Sequence, residues 1–130
     1  MNIKKIGLLV SLSSAILNAG NYSFVGIDDL ESFTSDYLNK SIYITCKRTT
    51  ISEDRNGGYS VMARCKNSSS EYGFGSNNPF KIKIHTDNKS VAKNLARSKN
   101  KEKSILGNVR KPSVKYSTAK YVFEIGEVQY

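Results

Sequence analysis

Few residues of this chain have the chemistry that catalysis requires. Its 130 residues include a single histidine, His85, and two cysteines, Cys46 and Cys65. His85 lies between lysines on a predicted strand, and no partner base or acid is evident for it. The pattern therefore favours a surface role over general-base catalysis. The cysteines are too far apart for the Cys-x-x-Cys motif of oxidoreductases.

Other motifs of active sites are missing as well. The sequence contains no Gly-x-Ser-x-Gly motif, and Gly73 and Gly75 are too few to form a phosphate-binding or dinucleotide-binding loop. No cluster of histidine, cysteine and aspartate has the spacing of a metal site. We therefore predict that the protein is not an enzyme and that it has no cofactor and no metal.

Basic residues, in contrast, are numerous. The formal net charge is +9, and residues 40–120 carry 18 lysines and arginines against five acids. Such an excess favours polyanionic partners, namely nucleic acid, anionic lipid or glycan, or an acidic protein. The alternative is a solvated basic surface that only keeps the protein soluble, and the sequence does not decide between the two.

The first 19 residues have the pattern of a secretory signal peptide. Lys4 and Lys5 form a positive start, an uncharged and mostly apolar run follows over residues 6–17, and the small Ala19 precedes the predicted cleavage site. The run is shorter than the roughly 20 residues of a membrane-spanning helix. We predict export to the periplasm or out of the cell, with no transmembrane segment after cleavage.

The segments around the two cysteines predict a β-hairpin. Residues 41–51 and 59–66 alternate between apolar and polar side chains, as strands with one buried face do. The turn signal between them is Asn56-Gly57-Gly58, whose residues accept positive φ.

Each cysteine lies on the apolar face of its predicted strand. A four-residue loop closed by Glu53 and Gly58 would place Cys46 opposite Cys65. Two cysteines in an exported protein are usually paired, so we predict a disulfide that stabilises a small core by about 3 kcal/mol. Two separate buried thiols are the alternative.

A short helix is predicted before the hairpin, over residues 26–40. Asp28 is its expected N-cap, and Glu31 lies three residues later, as in a capping box. The apolar residues of this segment recur at helical spacing and predict one buried face: Leu30, Phe33, Tyr37 and Leu38.

The rest of the chain predicts three further strands and one helix. The third strand covers residues 80–85, and a helix capped by Ser90 follows it. The fourth and fifth strands cover residues 104–110 and 120–130. The apolar alternation changes parity at Gly126, which predicts a β-bulge there.

Three strands, a helix and two strands is the element order of the oligonucleotide/oligosaccharide-binding (OB) barrel. Over about residues 40–130 the chain resembles small exported bacterial OB-fold proteins, including those described as anticodon-binding-domain-like. The order, the glycine in Ile-Leu-Gly-Asn-Val and the terminal Tyr-Val-Phe-Glu-Ile-Gly-Glu-Val carry the resemblance. It implies a mainly β protein, a five-stranded OB-like barrel with an N-terminal helix and a short helix between strands 3 and 4.

This order divides the chain into a signal peptide (1–19), an N-terminal helical segment (20–39) and the OB-like barrel domain (40–130). An OB fold binds single-stranded nucleic acid through one strand face and the adjoining loops. The residues predicted to point outward on the first three strands form a basic candidate binding face: Tyr43, Lys47, Arg64, Lys66, Lys81, Lys83 and His85. Aromatic residues on predicted loops add candidate stacking groups: Tyr72, Phe74 and Tyr116.

We therefore expect an exported, non-enzymatic binding module that uses this face to bind an acidic protein or an anionic polymer, with nucleic acid and glycan among the candidates. The alternative is a secreted OB-fold hydrolase or nuclease whose active site the sequence does not reveal.

Overall fold

The computed structural model describes residues 21–55, 57–68, 73–112 and 119–130. The predicted signal peptide, residues 1–19, lies outside these ranges. The strands are β1 (Ser23–Phe24), β2 (Ser41–Glu53), β3 (Tyr59–Lys66), β4 (Phe74–Ser76), β5 (Ile82–Thr86), β6 (Lys103–Arg110) and β7 (Tyr121–Gln129). The helices are α1 (Ile27–Ser32), a 3₁₀ turn (Thr34–Tyr37) and α2 (Lys89–Arg97).

Five of the strands close into a barrel. The order around it is β2-β6-β7-β5-β3, and β3 returns to β2. All neighbours are antiparallel except β5 and β7, which run parallel. The predicted five-stranded OB-like barrel, with an N-terminal helix and a helix between its third and fourth strands, is confirmed. The two short strands β1 and β4 pair onto β2 and β3 outside the closed set.

The barrel encloses the hydrophobic core. Its inward side chains come alternately from every strand, and the interior includes Ile44, Ile84, Ile105 and Phe123, each 1% exposed or less. Helix α2 packs Leu95 onto the same core. Its N-cap is Asn88 rather than the predicted Ser90, because the Asn88 side chain accepts hydrogen bonds from the next backbone amides.

The two cysteines form a disulfide across β2 and β3, as predicted, although the hairpin loop differs from the prediction. Glu53 pairs with Tyr59, so the loop has one residue more than expected. A β-bulge at Arg48, whose φ is 54°, inserts a compensating residue into β2. Cys46 and Cys65 therefore still lie opposite each other, and both are fully buried.

The bulge predicted at Gly126 is also present. Leu106 pairs with Glu127, while the next residue of β6, Gly107, pairs with Ile125. Gly126 is thus the extra residue on β7. The shift of apolar parity in the sequence has a direct structural cause, because one inserted residue reverses the facing of all residues after it.

The N-terminal helix is shorter than predicted, and its acids have other partners. Gly26 is the N-cap and no side chain caps the helix. Asp28 instead accepts a hydrogen bond from the Ser68 amide, 2.7 Å away, which lowers the pKa of its carboxyl group. Glu31 accepts one from the Asn78 amide. Phe33, predicted on the buried face, is exposed because the chain turns into the 3₁₀ segment there.

One charged side chain is buried at the end of the barrel near α2. The ammonium group of Lys103 donates to the Thr49 hydroxyl and to the Ser98 carbonyl at the helix C-terminus. Lys103 is 2% exposed, and this burial lowers the pKa of its ammonium group. Thr49 in turn donates to the Leu95 carbonyl, so these contacts join α2 to β2 and β6.

Within the described ranges no helix has the length and apolar character needed to cross a membrane.

Candidate functional site

Four residues of the predicted basic face and its loops come together on the outside of the barrel. Lys47 and Arg64 lie directly opposite each other on β2 and β3, and Lys66 pairs with Phe74 of β4. Because residues in register share a face of a sheet, all four side chains are on the outer surface. We name this group the Phe74 patch: Lys47, Arg64, Lys66 and Phe74.

The patch holds its cations in defined positions. The Lys47 ammonium nitrogen lies 4.2 Å from the centre of the Phe74 ring, a cation–π contact. An Arg64 guanidinium nitrogen, Nη2, donates to the Phe74 backbone carbonyl at 3.0 Å while the side chain stays exposed. Lys66 pairs with Glu102 at 3.4 Å. Within the described ranges neither Lys47 nor Arg64 forms an ion pair, whereas Lys66 is partly neutralised.

The cystine lies directly behind this patch. Lys47 follows Cys46 in β2, and Arg64 and Lys66 flank Cys65 in β3. The alternation of strand residues sends the cysteines into the core and the three cations outward. The disulfide thus fixes the separation of the two strands that carry the charges.

Lys83 and His85 lie on the outer side of β5 but belong to a different group. The Lys83 ammonium is 2.7 Å from Asp54, which also accepts a hydrogen bond from the Ser60 hydroxyl. Both charged side chains are mostly covered, with 14% and 6% of their area exposed. Lys83 is therefore neutralised within the fold and does not add to an open basic surface.

His85 is buried rather than solvent-facing, with 8% exposure. Its Nδ1 faces the Glu124 carboxylate at 3.0 and 3.2 Å, and its Nε2 lies 2.9 Å from the Gly57 carbonyl oxygen. Arg110 donates to the same Glu124 carboxylate at 2.7 Å. The carboxyl group of Asp87 lies 3.6 Å from Nε2.

These neighbours set the protonation of the imidazole. Burial on its own would lower the pKa of His85. The acceptors at Gly57 and Glu124, together with the charge of Asp87, outweigh burial and raise the pKa above its ordinary value. Since both ring nitrogens face acceptors, the protonated ring with two N–H donors satisfies this arrangement best.

The remaining predicted positions do not join either group. The Tyr43 ring packs against the Phe24 ring of β1, with 5.6 Å between the ring centres, so Tyr43 is engaged in a contact within the fold. Lys81 precedes β5 and is exposed. Its positive charge opposes the rise in the pKa of Glu31 that burial causes. Tyr72 and Tyr116 lie outside the described residues.

Sequence reasoning missed the partners of His85 and Lys83. Glu124 and His85 are 39 residues apart and meet because β5 pairs in parallel with β7. Asp54 reaches Lys83 across the hairpin loop. The one signal in the sequence was the OB-like element order itself, since that topology requires strands 3 and 5 to be neighbours.

Among the described residues, His85, Asp87 and Glu124 are the one group of three side chains close enough to hold a metal ion, with ligand atoms within 4.8 Å of one another.

Comparison of the chain with protein-family models, with curated proteins and with solved structures finds no match. The residues and geometry described above are therefore the basis for any assignment of function.

Proposed function

We propose that this is an exported, non-enzymatic binding module that holds an anionic polymer on the Phe74 patch. The observation that carries the proposal is the pair formed by Lys47 and Arg64. They are opposite each other on adjacent strands, and both are anchored to the same aromatic residue.

Anchoring matters because binding normally costs the freedom of long side chains. Ordering a flexible lysine or arginine at an interface costs about 0.5–1.5 kcal/mol. Lys47 is already held on the Phe74 ring and Arg64 on the Phe74 carbonyl, so part of this cost is met in the free protein. A solvating surface would not need such ordering.

The composition around the patch supports an anionic partner. The excess of cations over residues 40–120 attracts polyanions over distances of about 10 Å at moderate salt. Phe74 adds an apolar ring on which a base or sugar could stack. A disulfide and the lack of a membrane-spanning helix in the described ranges are compatible with the export that the N-terminal sequence predicts.

A salt titration with matched variants tests the proposal. The probe is a fluorescent single-stranded oligothymidylate, with a sulfated glycan as a second probe. The variant Lys47→Ala/Arg64→Ala removes two charges from the patch. The control Lys93→Ala/Arg97→Ala removes the same two residue types from the exposed side of α2, where alanine is well tolerated.

Loss of the patch should weaken binding and reduce the log–log salt slope for the oligonucleotide by about 1.4, since each lost phosphate contact contributes about 0.7. The control should change the slope by much less. Equal losses in the two variants would mean diffuse charge attraction and would reject the patch as the site. Cleavage of either probe, with or without added divalent metal, would reject the non-enzymatic function.

A further inference from the structure

A second site lies on the outer surface where the β2–β3 loop meets β5 and β7. We propose that His85 Nε2, Asp87 Oδ1 and the Gly57 carbonyl oxygen bind a divalent transition-metal cation such as Zn²⁺. This site shares no residue with the Phe74 patch, and the inference does not depend on the function proposed for that patch.

The distances from His85 Nε2 to the two oxygens carry the proposal. Nε2 is 2.9 Å from the Gly57 oxygen and 3.6 Å from Asp87 Oδ1. Zinc binds nitrogen and oxygen at about 2.0–2.2 Å in tetrahedral sites, which places two ligands about 3.4 Å from each other. The two distances lie on either side of this value, so shifts of about 0.2–0.5 Å would bring both oxygens to the spacing from Nε2 that a shared cation requires.

The other side of the imidazole has the support that metal-binding histidines commonly have. Metal-ligating histidine usually donates its second N–H to a carboxylate, which fixes the tautomer and the ring orientation. Glu124 takes this role at Nδ1, and Arg110 holds the Glu124 carboxylate in turn. With Nδ1 protonated, the Nε2 lone pair points to the Gly57 and Asp87 oxygens. The proton that Nε2 donates to Gly57 leaves when the cation binds.

The loop backbone is shaped to approach these ligand atoms. Gly58 has φ of 74°, and a Cβ there would lie 2.5 Å from Asp87 Oδ1 and 2.6 Å from His85 Nε2. Only a residue without a side chain lets the loop come this close. The site thus joins the loop to the segment after β5.

The charge and the ligand types select the cation. Once the Nε2 proton has left, Arg110 balances only one of the two carboxylates of Asp87 and Glu124, so a divalent cation meets a net negative charge. An imidazole ligand favours Zn²⁺, Ni²⁺ or Cu²⁺ over the oxygen-seeking Mg²⁺ and Ca²⁺. Waters would complete the coordination because Asp87 is 79% exposed.

The test is calorimetric titration of the purified, disulfide-bonded protein with ZnCl₂, together with NMR of the His85 ring nitrogens. We expect one equivalent of Zn²⁺ to bind and to shift the Nε2 resonance. Asp87→Asn should weaken binding at least tenfold. Because Asp87 is exposed, this change leaves the fold intact, and Asp36→Asn at another exposed acid serves as its matched control.

Glu124→Gln tests the supporting carboxylate separately, with an expected loss of 10–100-fold in affinity. The proposal is overturned if Zn²⁺ produces neither heat nor a shift of the His85 nitrogens. It is equally overturned if Asp87→Asn binds Zn²⁺ as tightly as Asp36→Asn. Saturation by Mg²⁺ at the same concentration as Zn²⁺ would overturn the choice of cation.

Discussion

The disulfide between β2 and β3 should account for a large part of the stability of the barrel. We consider the double variant Cys46→Ala/Cys65→Ala. The bond closes a loop with a sequence separation of 19 residues. In the chain-entropy model its loss releases about 11 cal/mol/K of conformational entropy in the unfolded state, or about 3.3 kcal/mol at 25 °C.

The position of the cysteines adds a packing loss to this value. Both are fully buried in the core, so alanine also removes two sulfur atoms from the interior. The expected decrease in the free energy of unfolding is therefore about 3–5 kcal/mol. For a domain of roughly 110 residues, the entropic part by itself corresponds to a fall in melting temperature of about 14 °C.

The measurement is urea unfolding followed by circular dichroism, with and without a reductant. The wild-type protein in reductant should unfold at a midpoint close to that of the variant. The control Thr50→Ala/Met62→Ala alters an exposed pair on the same two strands and should cost less than about 1 kcal/mol. A loss below about 1 kcal/mol in the cysteine variant, or a loss equal to the control, would refute the reasoning.

Three further outcomes follow from single contacts. Gly107→Ala should lower the free energy of unfolding, measured in urea, by about 2–3 kcal/mol, because its Cβ would lie 2.1 Å from the Glu124 carbonyl oxygen. Gly126→Ala should be nearly neutral, because its Cβ would lie 3.5 Å from the nearest atom, the Leu106 carbonyl oxygen. Asn77→Ala should cost about 1–3 kcal/mol in the same assay, since its buried side chain accepts a hydrogen bond from the Ala63 amide at 2.8 Å; a change under about 0.5 kcal/mol would contradict this. Burial lowers the pKa of Lys103 below 10.5, so the unfolded chain binds more protons than the folded protein between these two pKa values, and the free energy of unfolding should rise with pH up to about 10.5. Lys103→Met should lack this rise. Identical pH profiles of stability for the two proteins would contradict the assignment.

The hairpin, the cystine and the Gly126 bulge were predictable because each depends on residues close in sequence or on strict alternation. The bulge at Arg48 was not predicted, because Ile51 is the one apolar residue after it in β2 that shows the change of parity, and the other inward residue there is the polar Thr49. Helix capping by Asp28 failed as a prediction because Ser68, 40 residues away, offers its amide to the same carboxylate. The contact with Ser68 therefore outweighs the local capping preference of Asp28.

The candidate sites were predictable only in part, for a similar reason. Alternation placed Lys47, Arg64 and Lys66 on the outer surface, where the structure has them. It could not show that Lys83 and His85 meet acids, because Asp54 and Glu124 reach them through the hairpin loop and through strand pairing between distant segments. Alternation specifies the face of a strand, whereas charge neutralisation depends on which strands are neighbours.

The position of β7 has a consequence for how the chain folds. It is the last of the five barrel strands in sequence, and it lies between β5 and β6, so it completes the barrel on both sides. Closure therefore requires residues 121–129, and the long separations that β7 bridges favour folding in milliseconds to seconds. Truncation within residues 121–129 should leave two unpaired strand edges and an aggregation-prone product rather than a smaller barrel.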